Sequence, residues 1–507
     1  MKKTVIFLLC FGAASAQAQH KNVLISTNYN PNEMSIALDE KDLNQQLAAA
    51  NIASVYTSQN GGVSWKTGLQ TSTYGVWGDP VVAVDTAGAF YHFHLSRPEE
   101  DGSWIDRIVC QKSTDRGNTF NNGTFTGLNG GKAQDKHWVA IDRNTNTLYL
   151  TWTQFDKYDS EDPEDRSNIL FSKSEDGGET WSEPVKINSV SGDCLDDDNT
   201  VEGAVPAIGP SGEIYVSWAG PLGIVFNKSE DGGETWLEKE IEIDEMPGGW
   251  SIDIPGILRA NGMPVTKCDI SGGDNHGTIY VNWADQRNGI DDTDIWLAKS
   301  TDSGESWSEP IRVNQDTVQN QQFFTWMDID QTNGNLYFVY HDRRNHDDIS
   351  TDVFLAVSTD GGNTFTETML SDSAFIPNDK VFFGDYNNIA AHNGVVRPVW
   401  TRLDGKDLSV YTALVDTDLI LNPYNDGIEV LYDAGTSTIS VSGLSAVLTK
   451  IQLTDINGKP IARWNEDEKV EKSNHFKLKS ELAEGVYYVE IGVGSEKLRR
   501  PLIVVKN

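Results

Sequence analysis

One short segment occurs six times in this chain, and it constrains the fold more than any other feature. The segment begins with Ser, has Asp or Asn two residues later, contains Gly and ends with Trp or Phe. The copies are Ser58–Trp65, Ser113–Phe120, Ser174–Trp181, Ser229–Trp236, Ser300–Trp307 and Ser358–Phe365. Each copy predicts a tight turn, because an Asp carboxylate accepts backbone N–H groups and glycine adopts positive φ without strain. Six copies in register indicate an array of repeats.

The residues around each copy alternate between apolar and polar as antiparallel strands do. In residues 136–188 the runs HWVAID, TLYLTWT, NILFSKS and WSEPVKI predict four short strands, with the turn between the third and fourth. Four such strands describe one propeller blade. Blades are predicted to start near Met34, Pro80, His137, Gly203, Pro264, Phe324 and Tyr386.

The last repeat contains three strands and lacks the Ser-x-Asp turn. The strand-like segment Asn22–Asn28 precedes the first repeat. We expect it to supply the missing outer strand, because this closes the ring and removes a free sheet edge.

The repeated turn S-x-D-x-G-x-T-W is the Asp-box, and over residues 22–418 the chain resembles the sialidase-like, or BNR-repeat, β-propellers. The resemblance implies an all-β fold. The repeats predict a seven-bladed propeller. Six blades are the alternative, because sialidases of this family usually have six and the first copy, with Asn60 in place of Asp, is the weakest.

The two ends of the chain differ from the repeats. Residues 1–18 combine Lys2 and Lys3, an apolar run and small residues, which predicts a secretory signal peptide. Residues 419–427 read as a linker, and 428–507 as a small β-sandwich domain. That domain resembles the C-terminal sorting domain of the type IX secretion system of Bacteroidota. An immunoglobulin-like accessory module is the alternative. The chain is therefore expected at the cell surface or in the medium, handled by the type IX machinery and without a transmembrane anchor.

The formal net charge of −35 argues against a nucleic-acid partner, since phosphate binding requires basic patches. Three cysteines remain after the signal peptide: Cys110, Cys194 and Cys268. An odd number allows at most one internal disulfide. Cys194–Cys268 is the candidate pair, and three free thiols are the alternative.

Propeller sites are built from loops at one mouth of the central channel. Because the Asp-box turns occupy one face, loops joining the second and third strands must lie on the other. These loops carry Arg287, Arg343 and Arg402. Together they would form a basic patch suited to a carboxylate, because each guanidinium donates two parallel hydrogen bonds. In the alternative, each Arg pairs with a neighbouring Asp and only holds its loop.

Carboxylates precede the innermost strands on that same face. Candidates for acid or base chemistry are Asp79, Asp135, Glu202 and Asp385, and His137 and Trp326 are candidates for substrate contact.

The sialidase resemblance implies a tyrosine nucleophile with a glutamate base, an aspartate acid and an arginine triad. Tyr386 resembles the tyrosine and Glu202 the glutamate. Asp79 or Asp135 would be the acid, and Arg287, Arg343 and Arg402 the triad. The family's first arginine has no counterpart in the segment 32–36.

The acidic loops Asp193–Asn199 and Asn288–Asp294 make Ca²⁺ a candidate ligand, and solvated acidic loops are the alternative. No other cofactor is indicated. Two functions therefore compete. One is a sialidase-like glycoside hydrolase acting on an acidic glycan, and the other is a non-catalytic propeller that binds a glycan or a protein.

Overall fold

The computed structural model describes residues 20–98, 103–415, 417, 420, 428–443, 448–465, 474–493 and 496–505. The signal peptide predicted at 1–18 lies outside them, as does the predicted linker apart from Ile420. Among the described residues, none forms a helix with the length and apolar character needed to cross a membrane.

The first four repeats each form a four-stranded antiparallel sheet. Blade one contains β2 (Ser35–Leu38), β3 (Gln46–Ala50), β4 (Ser54–Ser58) and β5 (Lys66–Leu69). Blade two contains β6 (Val81–Val84), β7 (Phe90–Leu95), β8 (Ile108–Ser113) and β9 (Thr124–Thr126). Blade three contains β10 (Ala133–Ile141), β11 (Leu148–Phe155), β12 (Ser167–Ser174) and β13 (Val185–Lys186). Blade four contains β14 (Glu202–Ile208), β15 (Ile214–Gly220), β16 (Gly223–Ser229) and β17 (Ile241–Asp244).

The remaining repeats of the ring follow the same strand order. Blade five contains β18 (Val265–Cys268), β19 (Ile279–Asp285), β20 (Asp294–Ser300) and β21 (Ile311–Arg312). Blade six contains β22 (Gln322–Asp330), β23 (Asn335–Asp342), β24 (Asp352–Ser358) and β25 (Thr366–Met369). Blade seven contains β26 (Asn388–His392), β27 (Val395–Asp404) and β28 (Asp407–Leu414), and its fourth strand is β1 (Lys21–Ser26) from the N-terminal end.

The first strands of these sheets contact one another in the closed order β2, β6, β10, β14, β18, β22, β26 and back to β2. The architecture is therefore an all-β propeller in which these seven strands surround the axis. Strand β1 pairs antiparallel with β28, as the segment 22–28 predicted, so the N-terminal strand closes the ring.

Aromatic residues at the middle of the second strands fill the space between neighbouring sheets. The indoles of Trp152, Trp218, Trp283 and Trp400 are buried at equivalent positions of β11, β15, β19 and β27. Successive side chains of a strand point to opposite faces of its sheet. Because both faces of a blade pack against a neighbouring blade, side chains on either face are buried.

The Asp-boxes hold the turns between third and fourth strands. In the turn at 174–181, the Ser174 hydroxyl donates to Asp176 Oδ1 at 2.8 Å and accepts from the Gly178 N–H, while the Thr180 hydroxyl donates to Asp176 Oδ2 at 2.6 Å. The first copy keeps this geometry: Ser58 donates to Asn60 Oδ1, and the Asn60 amide donates to Ser64 Oγ at 2.8 Å.

Of the two alternatives for the cysteines, the structure has three free thiols: Cys110, Cys194 and Cys268 are all buried, and Cys194 and Cys268 form no disulfide. They occupy apolar positions in the sheets and their flanking loops, where a buried Cys acts as a small hydrophobic side chain.

The C-terminal residues form two further sheets that share one hydrophobic core. One sheet contains β29 (Glu429–Asp433), β30 (Thr438–Ser442) and β33 (His475–Lys477). The other contains β31 (Leu448–Asp455), β32 (Pro460–Asn465), β34 (Gly485–Val493) and β35 (Glu496–Val504). This is the small β-sandwich domain that the sequence predicted.

Candidate functional site

A cavity of about 290 Å³ opens on the face opposite the Asp-boxes, where the innermost strands of blades one to three begin. Its charged walls are formed by Glu33, Asp79, Asp135, Lys136 and Arg259. Its aromatic wall is formed by Trp77, Trp104, Tyr158 and Phe382. Two of the predicted site residues, Asp79 and Asp135, therefore line one cavity.

A repeated backbone kink places these charged residues. Glu33, Asp79 and Lys136 have positive φ values of 52°, 46° and 47°, and each lies two residues before the first regularly paired residue of its strand. Gly203 and Phe324 occupy the same position in blades four and six, with φ of 72° and 52°. Left-handed backbone at a non-glycine residue is strained and is retained where the surroundings require it.

Lys136 is the central cation of the site. Its buried Nζ lies 3.1 Å from Asp385 Oδ2 and 3.4 Å from Asp79 Oδ2, so it joins blades two, three and seven. Burial alone would lower the pKa of Lys136, but the carboxylates of Asp385 and Asp79 raise it above its usual range. Lys136 therefore stays protonated and neutralises part of the carboxylate charge.

Arg259 enters the site from a long segment between β17 and β18. Its Nη2 lies 2.5 Å from Asp385 Oδ2, and its Nη1 lies 3.2 Å from Asp196 Oδ2. The segment is anchored by Arg343, which donates to the carbonyl oxygen of Pro255 at 2.8 Å. The Arg259 side chain is 38% exposed. Its Nε has no hydrogen-bond partner among the described residues.

Carboxyl groups around these cations have divergent proton affinities. Burial opposes the charge on Asp385, but Lys136 and Arg259 hold its pKa well below the usual range. Burial, Asp385 and Asp79 raise the pKa of Glu33 well above its usual range. A protonated Glu33 can donate a hydrogen bond to Asp385, which explains how two adjacent carboxyl groups are tolerated.

Asp135 is the carboxyl group of the cavity wall that titrates near neutral pH. Burial and then the nearby charge of Asp79 raise its pKa to about 8. Glu202 lies behind this wall, beside Asp196 and Asp135, and burial with their charges raises its pKa as well. At neutral pH the site thus contains a protonated carboxyl group, Asp135, beside the carboxyl group of Asp79.

Tyr386 and Glu202 do not form the predicted pair. Tyr386 is 3% exposed, and its ring packs edge-on against Trp138 at 5.3 Å. Burial raises its pKa, and the carboxyl groups that raise it further are first Glu33 and then Asp79. Tyr386, Glu202 and Asp385 lie behind the cavity wall and are not among the residues that line it. The repeat register predicted that these residues lie near the axis, but it carries no information on how deeply each side chain is buried.

The other two predicted contact residues are also buried. Trp326 packs against Trp138 with ring centroids 4.2 Å apart. His137 follows Lys136 on the opposite side of β10, and burial lowers its pKa to about 3. Neither residue lines the cavity.

Two of the three predicted triad arginines pair with a neighbouring aspartate, as in the alternative that each holds its loop, and the third is buried. Arg287 pairs with Asp285 and with Asp244 Oδ1 at 2.7 Å. Arg402 pairs with Asp404 Oδ2 at 2.6 Å. Arg343 is buried and donates to Thr351, Gln321 and the Pro255 carbonyl. Neighbouring aspartates neutralise two of these arginines, because an Asp two residues away on the same loop is the nearest acceptor.

The acidic loops predicted as calcium candidates use their carboxylates internally. Asp193 accepts from the Thr200 hydroxyl at 3.0 Å, and Asp198 accepts from the Ser251 N–H at 2.9 Å. Asp294 accepts from the Asn314 amide at 2.6 Å. Across the part of the chain that the structure describes, no group of three or more His, Cys, Asp or Glu residues is arranged to hold a metal ion.

Sequence reasoning missed Glu33, Lys136, Asp196 and Arg259 as site residues. Glu33 and Lys136 share the position of Asp79 before their strands, so the repeat register contained that signal. Asp196 lies in the acidic loop Asp193–Asn199, which the sequence singled out only as a candidate for Ca²⁺. Arg259 lies in an insertion without repeat register, and nothing in the sequence pattern pointed to it.

Comparison with solved structures finds sialidases at low similarity. The NanB sialidase of Streptococcus pneumoniae in complex with 2-[(3-chlorobenzyl)ammonio]ethanesulfonate has 10% identity and a TM-score of 0.44, covering 80% of this chain and 98% of that chain. Trypanosoma rangeli sialidase has 12% identity and a TM-score of 0.43, covering 95% and 89%. The leech intramolecular trans-sialidase has 10% identity and a TM-score of 0.41, covering 67% and 68%. Comparison with curated proteins found no match.

The C-terminal domain matches a known family of domains. Residues 422–505 match the family described as the secretion system C-terminal sorting domain. The match agrees with the resemblance to the type IX sorting domain that the sequence suggested. Residues 422–505 are therefore similar to the secretion-system sorting domains, which indicates that the protein is exported to the cell surface or the medium.

Proposed function

We propose that this protein is an exported glycoside hydrolase that cleaves an acidic glycan in the cavity on the face opposite the Asp-boxes. The observation that carries the proposal is the pairing of Asp135, whose pKa is raised to about 8, with Asp79 in one cavity wall. A carboxyl group that stays protonated at neutral pH beside a second carboxyl group suits general acid catalysis of glycoside cleavage.

In this proposal Asp135 is the general acid. It is protonated at neutral pH and lines the cavity, so it can transfer a proton to the leaving glycosidic oxygen. The bond between that oxygen and the anomeric carbon then breaks, and water adds to the anomeric carbon and gives up a proton. Asp79, paired with Lys136, supplies carboxylate charge opposite the sugar ring as positive charge develops there. Tyr386 takes no part in bond cleavage in this proposal, because its side chain is buried behind the cavity wall.

Arg259 is the proposed contact for the substrate carboxylate. Its side chain is 38% exposed, whereas that of Lys136 is 4% exposed. A guanidinium at a cavity wall can donate to a carboxylate while keeping its contacts with Asp385 and Asp196.

The deciding experiment measures sugar release from a panel of sialylated, uronic-acid-containing and neutral glycans. Wild type is expected to release sugar from an acidic member, with Asp135→Asn and Asp79→Asn each reducing kcat by about 100-fold or more. Glu161→Gln, a change of an exposed carboxylate on the same face, is the matched control and should retain activity. Absence of turnover on the panel, together with glycan binding by calorimetry that Arg259→Gln weakens, would replace the hydrolase with a binding propeller.

A further inference from the structure

The C-terminal sorting domain contacts the propeller at a defined place. Strand β34 alternates, so Tyr487, Val489 and Ile491 face the core of the domain, while Val486 and Tyr488 face the propeller. Together with Ile456, these two residues join a buried cluster that contains Leu43 and Val63 of blade one and side chains of blade seven.

Polar contacts fix the position of this surface. The Leu43 N–H of blade one donates to Asn457 Oδ1 at 2.7 Å, and the Asn457 amide donates to Asp42 Oδ1 at 3.1 Å. Asn457 lies in the turn between β31 and β32, next to Ile456. A side chain that accepts from backbone and donates to a carboxylate fixes both position and orientation.

The first Asp-box packs tightly against the sorting domain. Gly61 has a φ of +74°, and a Cβ added there would meet Ile456 Cδ1 at 2.6 Å. At the equivalent Gly232, with a φ of +72°, the nearest atoms would be 3.9 Å away. The weakest copy of the repeat is therefore the copy against which the sorting domain packs.

The contact spans the junction between the first and last blades. Val395, Val399, Val410 and Leu414 of blade seven share the cluster with the blade-one residues. The N-terminal strand β1 closes the ring in this same blade, so the sorting domain packs where the two ends of the propeller meet.

We propose that the sorting domain docks on the Asp-box face and stabilises the junction of blades one and seven. It leaves the cavity on the opposite face open. The surface formed by Leu43, Gly61, Val63 and the blade-seven valines is its docking site. The full chain then presents its cavity on the face away from the sorting domain. This inference does not depend on the reaction proposed for the cavity.

The test compares Gly61→Ala with Gly232→Ala in the full chain. Both glycines have the same turn position and nearly the same φ, so backbone strain is matched and the difference reports the contact with Ile456. Hydrogen exchange of the Leu43 amide is the direct readout, because that N–H is bonded to Asn457. Gly61→Ala is expected to increase exchange at Leu43 by about tenfold or more relative to Gly232→Ala.

A second variant keeps the test independent of misfolding. Ile456→Val removes Cδ1, the atom that the new methyl group meets, so Gly61→Ala with Ile456→Val should recover most of the lost protection. Exchange in β20, remote from both glycines, should be the same in all variants. Equal exchange at Leu43 in the two glycine variants, or no recovery in the double variant, would contradict the proposed docking of the sorting domain.

Discussion

The guanidinium of Arg397 in blade seven donates to the carbonyl oxygen of Gly61 in blade one, with Nη2 at 2.8 Å and Nε at 3.1 Å. The same carbonyl position in other Asp-boxes accepts from a lysine that directly precedes the preceding blade's Asp-box. Those contacts are Lys112 to Gly177, Lys173 to Gly232, Lys228 to Ser303 and Lys299 to Gly361. Blade seven has no Asp-box and no such lysine, and Arg397 takes its place where the ring closes.

Replacing Arg397 should therefore destabilise the ring more than replacing one of these lysines. Arg397 is 1% exposed, and burial lowers its pKa to about 10. Arg397→Met leaves the buried Gly61 carbonyl without this donor, so we expect a loss of about 2–3 kcal/mol in the free energy of unfolding. Lys173→Met, at a more exposed contact, is the control and should lose less. Urea unfolding checks both, and equal losses would contradict a special role at the closure.

The raised pKa of Asp135 predicts a pH-dependent difference in stability. The folded chain keeps a proton on Asp135 up to about pH 8, whereas an unfolded Asp loses it near pH 4. Between these values the folded state binds more protons, so the wild type loses stability as pH rises. Asp135→Asn removes that dependence and should gain stability relative to wild type over this range. The measurement is the difference in urea unfolding midpoint between wild type and Asp135→Asn, taken at pH 5 and at pH 8. A difference that does not change with pH would show that Asp135 is charged in the folded state.

Buried histidines predict a loss of stability in acid. Burial lowers the pKa of His94 to about 4 and that of His137 to about 3. Because the unfolded chain binds these protons below about pH 6.5, stability should fall as pH decreases from there towards the folded values. His94→Gln and His137→Gln should each reduce the slope of unfolding free energy against pH, by an amount that corresponds to at most one proton. His276→Gln, at an exposed position, is the control, and an unchanged slope in the buried variants would argue that other groups cause the fall.

If the cavity hydrolyses glycans, we expect Arg259 to make it selective for substrates that carry a carboxylate. Arg259→Gln should raise KM for an acidic glycan by about tenfold, which corresponds to about 1.4 kcal/mol of lost binding. The methyl ester of the same glycan should be affected much less, because it offers no carboxylate to the guanidinium. Steady-state kinetics on the two substrates separates these outcomes. An equal rise in KM for both would assign Arg259 to holding the cavity wall through Asp385 and Asp196.

The repeat register made the propeller predictable. Asp-box turns, alternating strands and the unpaired segment at 22–28 are local patterns, and each follows from period-two burial and turn chemistry. The same register located Asp79 and Asp135 at the mouth of the channel. The sorting domain was recognisable from its own sequence and agrees with the family match over residues 422–505.

The contacts that each charged side chain makes could not be predicted from the sequence in the same way. Arg287 and Arg402 occupy the loops that the register predicted, but each contacts a nearby aspartate, and no periodic pattern distinguishes a free guanidinium from a paired one. Arg259 reaches the site from an insertion that has no register at all. Strand period and turn chemistry by themselves therefore determined the repeats, the ring and the export domain. Only the tertiary structure decided which charges meet at the cavity and where the sorting domain docks, because both depend on contacts between residues far apart in the chain.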